Sequence, residues 1–265
     1  MSSHTPKSVR GWEPVTTGQS GAAVFRSTDG SRYLKRVGIE QQAVLERERD
    51  RIDWARAHGV PTAEVLDWSA GADGADLVTS RIEGVSADRL SATSLSNAWP
   101  SIVETVRRLH ALPVDKCPFT HNLRDLFAMA EDVVRRGAVN PPFLPIEIRQ
   151  APPAEILARL AAELEHRLAQ EAVDTVVCHG DLCLANIIID PETGSVSGLI
   201  DLGRLGRADR YVDIALLLSN SRGTWSDEGQ ARDADAIFAD GYGVTLDHDR
   251  QRFYRHLDPL TWEAG

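Results

Sequence analysis

The sequence contains little cysteine: three of its 265 residues, Cys117, Cys178 and Cys183. An odd number without zinc-finger spacing argues against a disulfide framework and against a structural metal site. Long apolar runs are also missing, because the N-terminal residues have no apolar signal core and no stretch reaches the length of a membrane span. From these absences we expect a soluble, unexported, cytoplasmic protein with no membrane partner.

Positive charge is in the minority as well. The 29 lysines and arginines against 39 aspartates and glutamates give a formal net charge of −10. This balance disfavours binding to a phosphate backbone and favours a cationic ligand, so we expect no nucleic-acid partner. With 42% hydrophobic residues, the chain can bury a core, and its length suits two lobes or one large domain.

The most informative feature is a set of polar residues within 23 positions, starting at His179-Gly180-Asp181 and continuing through Asn186 to Asp201. In kinase chemistry an aspartate orients the attacking hydroxyl, while an asparagine and a second aspartate hold Mg²⁺. We therefore predict that Asp181 is the catalytic base and that Asn186 and Asp201 are metal ligands. His179 is expected to shape the loop through internal hydrogen bonds.

Residues 187–200 separate the two predicted metal ligands and show a strand, a turn containing Pro191 and Gly194, and a second strand. Such a hairpin would bring Asp201 back to Asn186. Taken singly, each of these polar residues is typical of a turn or a cap. Their joint spacing is what favours catalysis.

A second hairpin is predicted near the N-terminus, where residues 23–26 and 32–37 flank Asp29-Gly30. Just before it, Gly18, Ser20 and Gly21 form a glycine-containing segment whose backbone amides can approach nucleotide phosphates, although an ordinary turn is the alternative.

Lys35 lies in a strand whose other residues suit burial, so its ammonium group needs an anionic partner. Phosphate oxygens and a glutamate on the next helix would supply one. That helix is predicted over residues 41–58, with Val44, Ile52 and Ala55 on one face.

The rest of the chain is predicted to be mainly helical. A helix over residues 94–112 would bury five apolar residues, and residues 139–153 contain five prolines and should form a loop. His110 is expected to be a satisfied core histidine and Asp213 a cap that braces the catalytic loop. A further apolar stripe is spaced at intervals of four: Ile156, Leu160, Leu164 and Leu168.

Several segments resemble the aminoglycoside phosphotransferases, which have the fold of protein kinases and use His-Gly-Asp where protein kinases use His-Arg-Asp. The matching segments are residues 98–101, 139–145, 177–181, 198–206, 208–211 and 257–262. The resemblance is closest to members that phosphorylate the 3''-hydroxyl of streptomycin. It implies an α+β, two-lobed kinase-like fold. A small β-rich nucleotide-binding lobe would occupy residues 1–83, and a larger, mainly helical catalytic and substrate-binding lobe residues 84–265.

The resemblance also implies roles for individual residues. Glu48 would be the partner of Lys35, although spacing alone leaves Glu46 open. Backbone groups at Ser80 and Ile82 would bind adenine. Carboxylates suited to guanidinium groups, and one aromatic ring, would line the acceptor pocket: Asp209, Asp258, Trp262 and Glu263.

The expected function is therefore ATP- and Mg²⁺-dependent phosphorylation of an aminoglycoside, most specifically streptomycin, by a monomeric enzyme that confers resistance. A kinase for another small alcohol, such as a sugar, choline or a macrolide, is the nearest alternative. A nucleotide-binding pseudokinase is a further alternative, but the presence of Lys35, Asp181, Asn186 and Asp201 together argues against it.

Overall fold

In a computed structural model of the chain, the described residues are 11–15 and 22–263. They divide into two compact units. The first contains the described residues up to Glu83 together with Ser197–Gly203, and the second contains Gly84–Val196 and residues 204–263. The lobe boundary predicted from the sequence, between residues 83 and 84, places residues 197–203 in the C-terminal lobe. The structure groups them with the first unit instead.

The first unit is built on a five-stranded antiparallel sheet in the order β1-β2-β3-β5-β4. Its hairpins use tight glycine turns, as at Gly30, whose φ of 73° is in the left-handed region that glycine tolerates. The predicted hairpin at residues 23–37 is therefore present. The strands are β1 (Trp12–Val15), β2 (Ala23–Ser27), β3 (Arg32–Val37), β4 (Val65–Gly71) and β5 (Gly74–Ser80).

Helix α1 (Gln42–Ala57) follows β3 and turns one face towards the interior of the first unit. The buried positions are Leu45, Glu48, Ile52 and Ala55, which are three or four residues apart. The prediction that Val44 belongs to this face is wrong, because 52% of Val44 is exposed. The face that buries Leu45 also buries Glu48, so α1 carries a carboxylate on its inner side.

Residues 197–203 are attached to the first unit by backbone pairing. Leu199 forms a parallel bridge with Thr62, its N–H donates to the Pro61 carbonyl at 2.8 Å, and its carbonyl accepts from Thr62 Oγ1 at 2.8 Å. A Cβ on Gly198 would lie 2.8 Å from Ile82 Cδ1, so this close approach requires glycine.

The second unit is mainly helical. Its α-helices are α2 (Ala92–His110), α3 (Leu123–Arg135), α4 (Pro153–Asp174), α5 (Tyr211–Ser221), α6 (Glu228–Tyr242) and α7 (His248–Leu257). Its short strands are β6 (Val85–Ser86), β7 (Thr175–Cys178), β8 (Ile187–Ile189), the start of β9 (Val196–Leu199) and β10 (Gly206–Asp209). None of the helices in the described ranges combines the length and the apolar composition needed to cross a membrane.

The helical core follows the predicted pattern in α2 and departs from it in α4. All five apolar residues predicted for α2 are buried: Leu95, Ala98, Ile102, Val106 and Leu109. In α4, Ile156 and Leu160 are buried but Leu164 and Leu168 are only half-buried. Four residues exceed one helical turn, so each step of four rotates by about 40° and the stripe leaves the core. Residues 139–152 contain a single 3-10 turn and no α-helix, as their prolines predict.

Strands β7 and β10 form an antiparallel ribbon in which Cys178 pairs with Gly206 and Thr175 with Asp209. β7 leads directly into His179-Gly180-Asp181. After β8, Asp190 N donates to the Ser195 carbonyl at 2.9 Å and closes the turn before β9. The strand, turn and strand predicted for residues 187–200 are therefore present.

Candidate active site

The loop after β7 has a geometry that only glycine permits at its second position. Gly180 has a φ of 83°, and a Cβ there would lie 2.4 Å from the carbonyl oxygen of Arg204. Both the left-handed backbone and this contact exclude a larger residue. Gly180 thus sets the direction in which the chain delivers Asp181.

Asp213, near the start of α5, binds the backbone of this loop. Its carboxylate accepts hydrogen bonds from the backbone N–H of His179 at 2.7 Å and of Gly180 at 2.9 Å, and His110 Nε2 lies 3.0 Å from Oδ2. Burial opposes ionisation of Asp213, but His110 and the loop amides outweigh it and the pKa of Asp213 is lowered. The bracing role predicted for Asp213 matches this geometry.

The two histidines of this region are internal hydrogen-bonding residues, as predicted. His179 is fully buried, and its Nδ1 accepts from the backbone N–H of Asp181 at 3.2 Å. His110 Nδ1 lies 2.8 Å from the hydroxyl of Tyr242. Because its Nε2 faces the Asp213 carboxylate, the fitting tautomer of His110 donates from Nε2 and accepts at Nδ1.

Asn186 is bonded directly to the predicted base. Its Nδ2 donates to the Asp181 carbonyl at 2.8 Å and to Asp181 Oδ2 at 3.2 Å. These bonds engage the nitrogen of the amide, and the amide oxygen is the atom that can bind a metal ion. The pair therefore combines a half-buried carboxylate, suited to accept a proton, with an oxygen ligand of the kind that Mg²⁺ prefers.

Within the first unit, Lys35 is held by two carboxylates. Its Nζ donates to Glu48 at 2.8 and 3.0 Å and to Asp201 Oδ1 at 2.9 Å. The partner on α1 is Glu48, whereas the exposed Glu46 pairs with Arg49 at 3.4 Å. Burial alone would lower the pKa of Lys35, but Glu48 and Asp201 more than offset it, so the pKa of Lys35 is raised and its charge is retained.

The backbone of Asp201 is strained. Its φ of 62° is the only positive value at a non-glycine residue in the described part of the chain. This conformation costs an L-residue roughly 1–2 kcal/mol, less for aspartate and asparagine. Strain of this kind clusters at functional sites. Its carboxylate is 47% exposed, so it offers oxygen atoms to solvent, as a metal ligand must.

The residues predicted to bind the adenine base lie at the end of β5. Ser80 N donates to the Glu64 carbonyl at 2.8 Å, and Ser80 Oγ accepts from Glu64 N at 2.9 Å. The N–H of Ser80 is therefore already used within the sheet. Ile82 follows and is half-buried. The glycine-containing segment with Gly18, Ser20 and Gly21 lies outside the described residues.

The prediction that Asp209 faces a ligand is wrong. Asp209 is fully buried, and its carboxylate accepts from Arg250 Nε at 2.9 Å, from the Tyr254 hydroxyl at 2.8 Å and from Tyr211 N at 2.8 Å. The side chain points into the protein because Arg250 and Tyr254, on α7, provide the partners that a buried carboxylate requires.

The other residues predicted for the acceptor pocket lie in the C-terminal segment. Trp262 Nε1 donates to Asp258 Oδ1 at 3.2 Å, and burial raises the pKa of Asp258 even though Arg204 and Trp262 oppose the shift. Glu263 is exposed and paired with Arg136 at 2.6 Å. Asp258 is thus the more enclosed of the two carboxylates.

Sequence reasoning missed Arg204. Its guanidinium group lies 3.5 Å from the centre of the Trp262 ring, and its Nη1 donates to Thr261 Oγ1 at 3.0 Å and lies 3.7 Å from Asp258. This is a cation–π contact reinforced by hydrogen bonds. The only signal in the sequence was the position of Arg204 inside residues 198–206.

A group with metal-ligating side chains lies beneath the loop but does not suit a metal ion. Ligand atoms of His110, Cys178 and Asp213 lie within 4.8 Å of one another in the described ranges. The carboxylate of Asp213, however, already accepts from His110 and two loop amides. Burial also raises the pKa of the Cys178 thiol, which disfavours the thiolate that a metal would need.

The chain is similar to known phosphotransferases along most of its length. A profile described as the phosphotransferase enzyme family matches residues 11–254. The streptomycin 3''-kinase of Streptomyces griseus is 59% identical over 251 residues, which cover 95% of this chain and 92% of that protein. The aminoglycoside 3'-phosphotransferase of Streptomyces fradiae is 34% identical over 268 residues, covering 93% and 94%.

Several solved structures are similar along nearly the whole chain, and one of them was determined with ligands. It is the aminoglycoside phosphotransferase APH(3'')-Id from Streptomyces rimosus in complex with ADP and streptomycin. Its sequence is 59% identical, it covers 95% of this chain and 93% of its own, and the TM-score is 0.91.

Proposed function

The chain belongs to the phosphotransferase enzyme family, and we propose that it transfers the γ-phosphate of ATP to the 3''-hydroxyl of streptomycin. The observation that carries the proposal is the bonded pair Asp181 and Asn186, on a loop that the buried Asp213 holds by its backbone. Similarity to a streptomycin 3''-kinase at 59% identity supports the choice of acceptor.

In the proposed reaction Asp181 accepts the proton of the attacking hydroxyl. A fixed carboxylate serves this purpose because the barrier falls when the acceptor is already oriented. The bond from Asn186 Nδ2 to Asp181 Oδ2, at 3.2 Å, restrains one carboxylate oxygen and so contributes to that orientation.

The nucleotide is proposed to bind through Lys35, which the buried Glu48 orients towards the phosphate oxygens. Asn186 and Asp201 would hold Mg²⁺, since both supply oxygen ligands and the Asp201 carboxylate is exposed. When bound, the ion offsets negative charge on the phosphate groups. The remaining nucleotide contacts are proposed at Ser80, through groups other than its N–H, at Ile82, and at Gly18, Ser20 and Gly21.

The acceptor is proposed to bind near the C-terminal segment, at Asp258, Trp262 and Glu263. Streptomycin carries guanidinium groups, whose planar donors match a carboxylate in a bidentate way that an ammonium group does not. The net charge of −10 favours such a polycation. Asp209 has no direct part in this pocket because it is fully buried.

We further propose that the enzyme is a cytoplasmic monomer whose activity confers resistance to streptomycin. A cytoplasmic location would give it ATP, and phosphorylation would alter the antibiotic before it reaches an intracellular target.

The test is ATP consumption by the purified protein with streptomycin, kanamycin, choline or no acceptor, followed by ³¹P and ¹H NMR of the product. We expect consumption that depends on streptomycin and a phosphate on the 3''-oxygen. Consumption with choline alone would favour a different small-alcohol kinase. Nucleotide binding without consumption under any condition would favour a pseudokinase.

A further inference from the structure

Asp209 is a buried carboxylate that connects two parts of the second unit. Three donors surround it: Arg250 Nε at 2.9 Å, the Tyr254 hydroxyl at 2.8 Å and the backbone N–H of Tyr211 at 2.8 Å. A fully buried aspartate without such partners would be strongly destabilising. The network therefore holds its members in one arrangement.

On one side the network holds helix α7. Arg250 and Tyr254 are four residues apart, so they project from the same face of the helix and reach the same carboxylate. Arg250 Nη1 also donates to Asp174 at 2.7 Å. The last residue of α7 is followed at once by the 3-10 turn Asp258–Thr261. The position of α7 thus determines where Asp258 and Trp262 lie.

On the other side the network holds the ribbon that leads to the base. Asp209 is the last residue of β10 and pairs with Thr175 of β7, whose last residue, Cys178, precedes the catalytic loop. The thiol of Cys178 donates to the Asp209 carbonyl at 3.4 Å. Asp209 is therefore bonded to the strand that delivers Asp181 as well as to α7.

Tyr254 also reaches the surroundings of Asp258. A cavity of about 10 Å³ is lined by Tyr254 and Asp258 together with His121, Leu126, Val212 and Leu257. A space of this size admits about one water molecule. The hydroxyl of Tyr254 therefore donates a hydrogen bond to Asp209, while the rest of the side chain lines the cavity next to Asp258.

We propose that Asp209 is a positioning residue which, through Arg250 and Tyr254, sets where Asp258 and Trp262 lie relative to Asp181, and so controls binding of the acceptor. The part of this inference that concerns acceptor binding rests on the proposed function. Asp209 does not touch the acceptor in this scheme.

The principal test is Tyr254→Phe, which removes only the hydroxyl that donates to Asp209. The control is Ser221→Ala, which also removes one buried hydroxyl, because the hydroxyl of Ser221 bonds to the Leu218 carbonyl and to Trp225 Nε1, outside both α7 and the Asp209 network. We expect Tyr254→Phe to raise the KM for streptomycin roughly five- to tenfold, because only part of the free energy of one hydrogen bond to a charged group is transmitted to the position of Asp258. The KM for ATP should stay within twofold, and Ser221→Ala should leave both constants within twofold.

Asp209→Asn removes the negative charge of the carboxylate and should raise the KM for streptomycin further. If that variant does not fold, Tyr254→Phe still decides the question.

A second readout needs no acceptor. It is the ¹⁵N-indole NMR signal of Trp262, which is assigned by its loss in Trp262→Phe. Because this indole N–H donates to Asp258, its chemical shift should change in Tyr254→Phe and stay unchanged in Ser221→Ala.

These readouts separate failure of the positioning role from failure of the proposed function. If the wild type does not use streptomycin but the Trp262 signal moves only in Tyr254→Phe, the proposed function fails and the positioning role stands. The inference is overturned if the Trp262 signal is unchanged in Tyr254→Phe, whatever happens to KM. It is also overturned if Tyr254→Phe and Ser221→Ala raise the two KM values equally, since that indicates a general structural effect.

Discussion

The ammonium group of Lys35 lies 2.9 Å from the carboxylate of Asp201 and 2.8 Å from that of Glu48. One cation thus bridges the residue proposed to hold Mg²⁺ and the residue on α1 that orients the lysine. Binding of nucleotide and metal would exchange the Lys35–Asp201 contact for contacts to phosphate and Mg²⁺, while the Lys35–Glu48 pair remains.

This ion pair predicts a dependence of stability on alkaline pH. The two carboxylates raise the pKa of Lys35 in the folded state, so its stabilising contribution is complete below the pKa of an unfolded lysine, about 10.4, and declines as pH rises above that value. In urea unfolding, the difference in unfolding free energy between wild type and Lys35→Met should be constant from pH 7 to 9. Above about pH 10.5 it should fall by up to about 1.4 kcal/mol per pH unit. A constant difference up to pH 11.5 would contradict the ion-pair account.

Replacing the proposed base should slow phosphate transfer strongly and preserve nucleotide binding. Asp181→Asn keeps an oxygen that can accept from Asn186 but loses proton acceptance, so kcat should fall on the order of 10²- to 10⁴-fold. The dissociation constant for ADP should change less than twofold by calorimetry. Asp115→Asn, at an exposed aspartate of the same unit, is the control. Turnover near the wild-type rate would remove Asp181 from this role.

The proposed metal ligand is best tested by Asp201→Asn. Asparagine tolerates the φ of 62° found there almost as well as aspartate, so the variant should fold, whereas it loses a charge that a divalent cation requires. We expect undetectable turnover at ordinary Mg²⁺ concentrations, with Asp73→Asn, in an exposed turn, as active control. Recovery of the full rate in excess Mg²⁺ would reduce Asp201 to an auxiliary role.

Acceptor selection is predicted to depend on Asp258 more than on Glu263. Asp258→Asn should raise the KM for streptomycin more than the KM for ATP, because a guanidinium group loses its bidentate partner. Glu263→Gln should have a smaller effect, since Glu263 is exposed and paired with Arg136. Kanamycin and neomycin should be poor acceptors, and the streptomycin KM should rise with salt. Equal use of kanamycin would refute the narrow specificity while leaving the kinase reaction in place.

The contact between His110 and Asp213, which supports the loop that carries Asp181, should contribute measurably to the free energy of unfolding. His110→Leu removes a donor 3.0 Å from the buried Asp213, which should lower the unfolding free energy by about 1–3 kcal/mol and reduce kcat. His110→Gln, which retains an N–H near the position of Nε2, should recover part of both losses. His166→Leu, at an exposed histidine of α4, serves as control in urea unfolding. Equal stability of the two leucine variants would show that His110 does not support the loop.

The catalytic loop could be predicted from sequence because its geometry is local. The bonds from Asn186 to Asp181 and from Asp181 to His179 span five residues or fewer, so residue types and spacing determine them. The face of α1 was only partly predicted, because Ile52 and Ala55 are buried as expected while Val44 is exposed and Leu45 is buried. At 100° per residue Glu48 lies about 40° from Val44 and about 60° from Leu45, whereas Glu46 lies at least 100° from both, so either face turns Glu48 inward.

The surroundings of the Asp209 side chain could not be predicted from neighbouring residues in the sequence. Its side-chain partners Arg250 and Tyr254 are 41 and 45 residues away along the chain, and no spacing rule indicates that they will enclose it. A carboxylate near a predicted active site looks like a ligand-binding residue until the packing of α7 is known. Arg204 was missed for a related reason, since its contact with Trp262 joins segments 58 residues apart in sequence.

Because Ser197–Gly203 belong to the first unit, they restrict the crossover positions at which chimeras of two such enzymes can be made. A contiguous fragment ending at Glu83 would carry Lys35 and Glu48 but would omit Leu199, which pairs with Thr62, and Asp201, which pairs with Lys35. Exchange of the first unit between relatives therefore takes three splice junctions, one near residue 83 and two that flank residues 197–203, more than a hundred residues further along the chain. A chimera made at a single crossover near residue 83 would combine Lys35 from one parent with Asp201 from the other, so inheritance of the charges proposed to bind the nucleotide and Mg²⁺ is tied to two separate stretches of the gene.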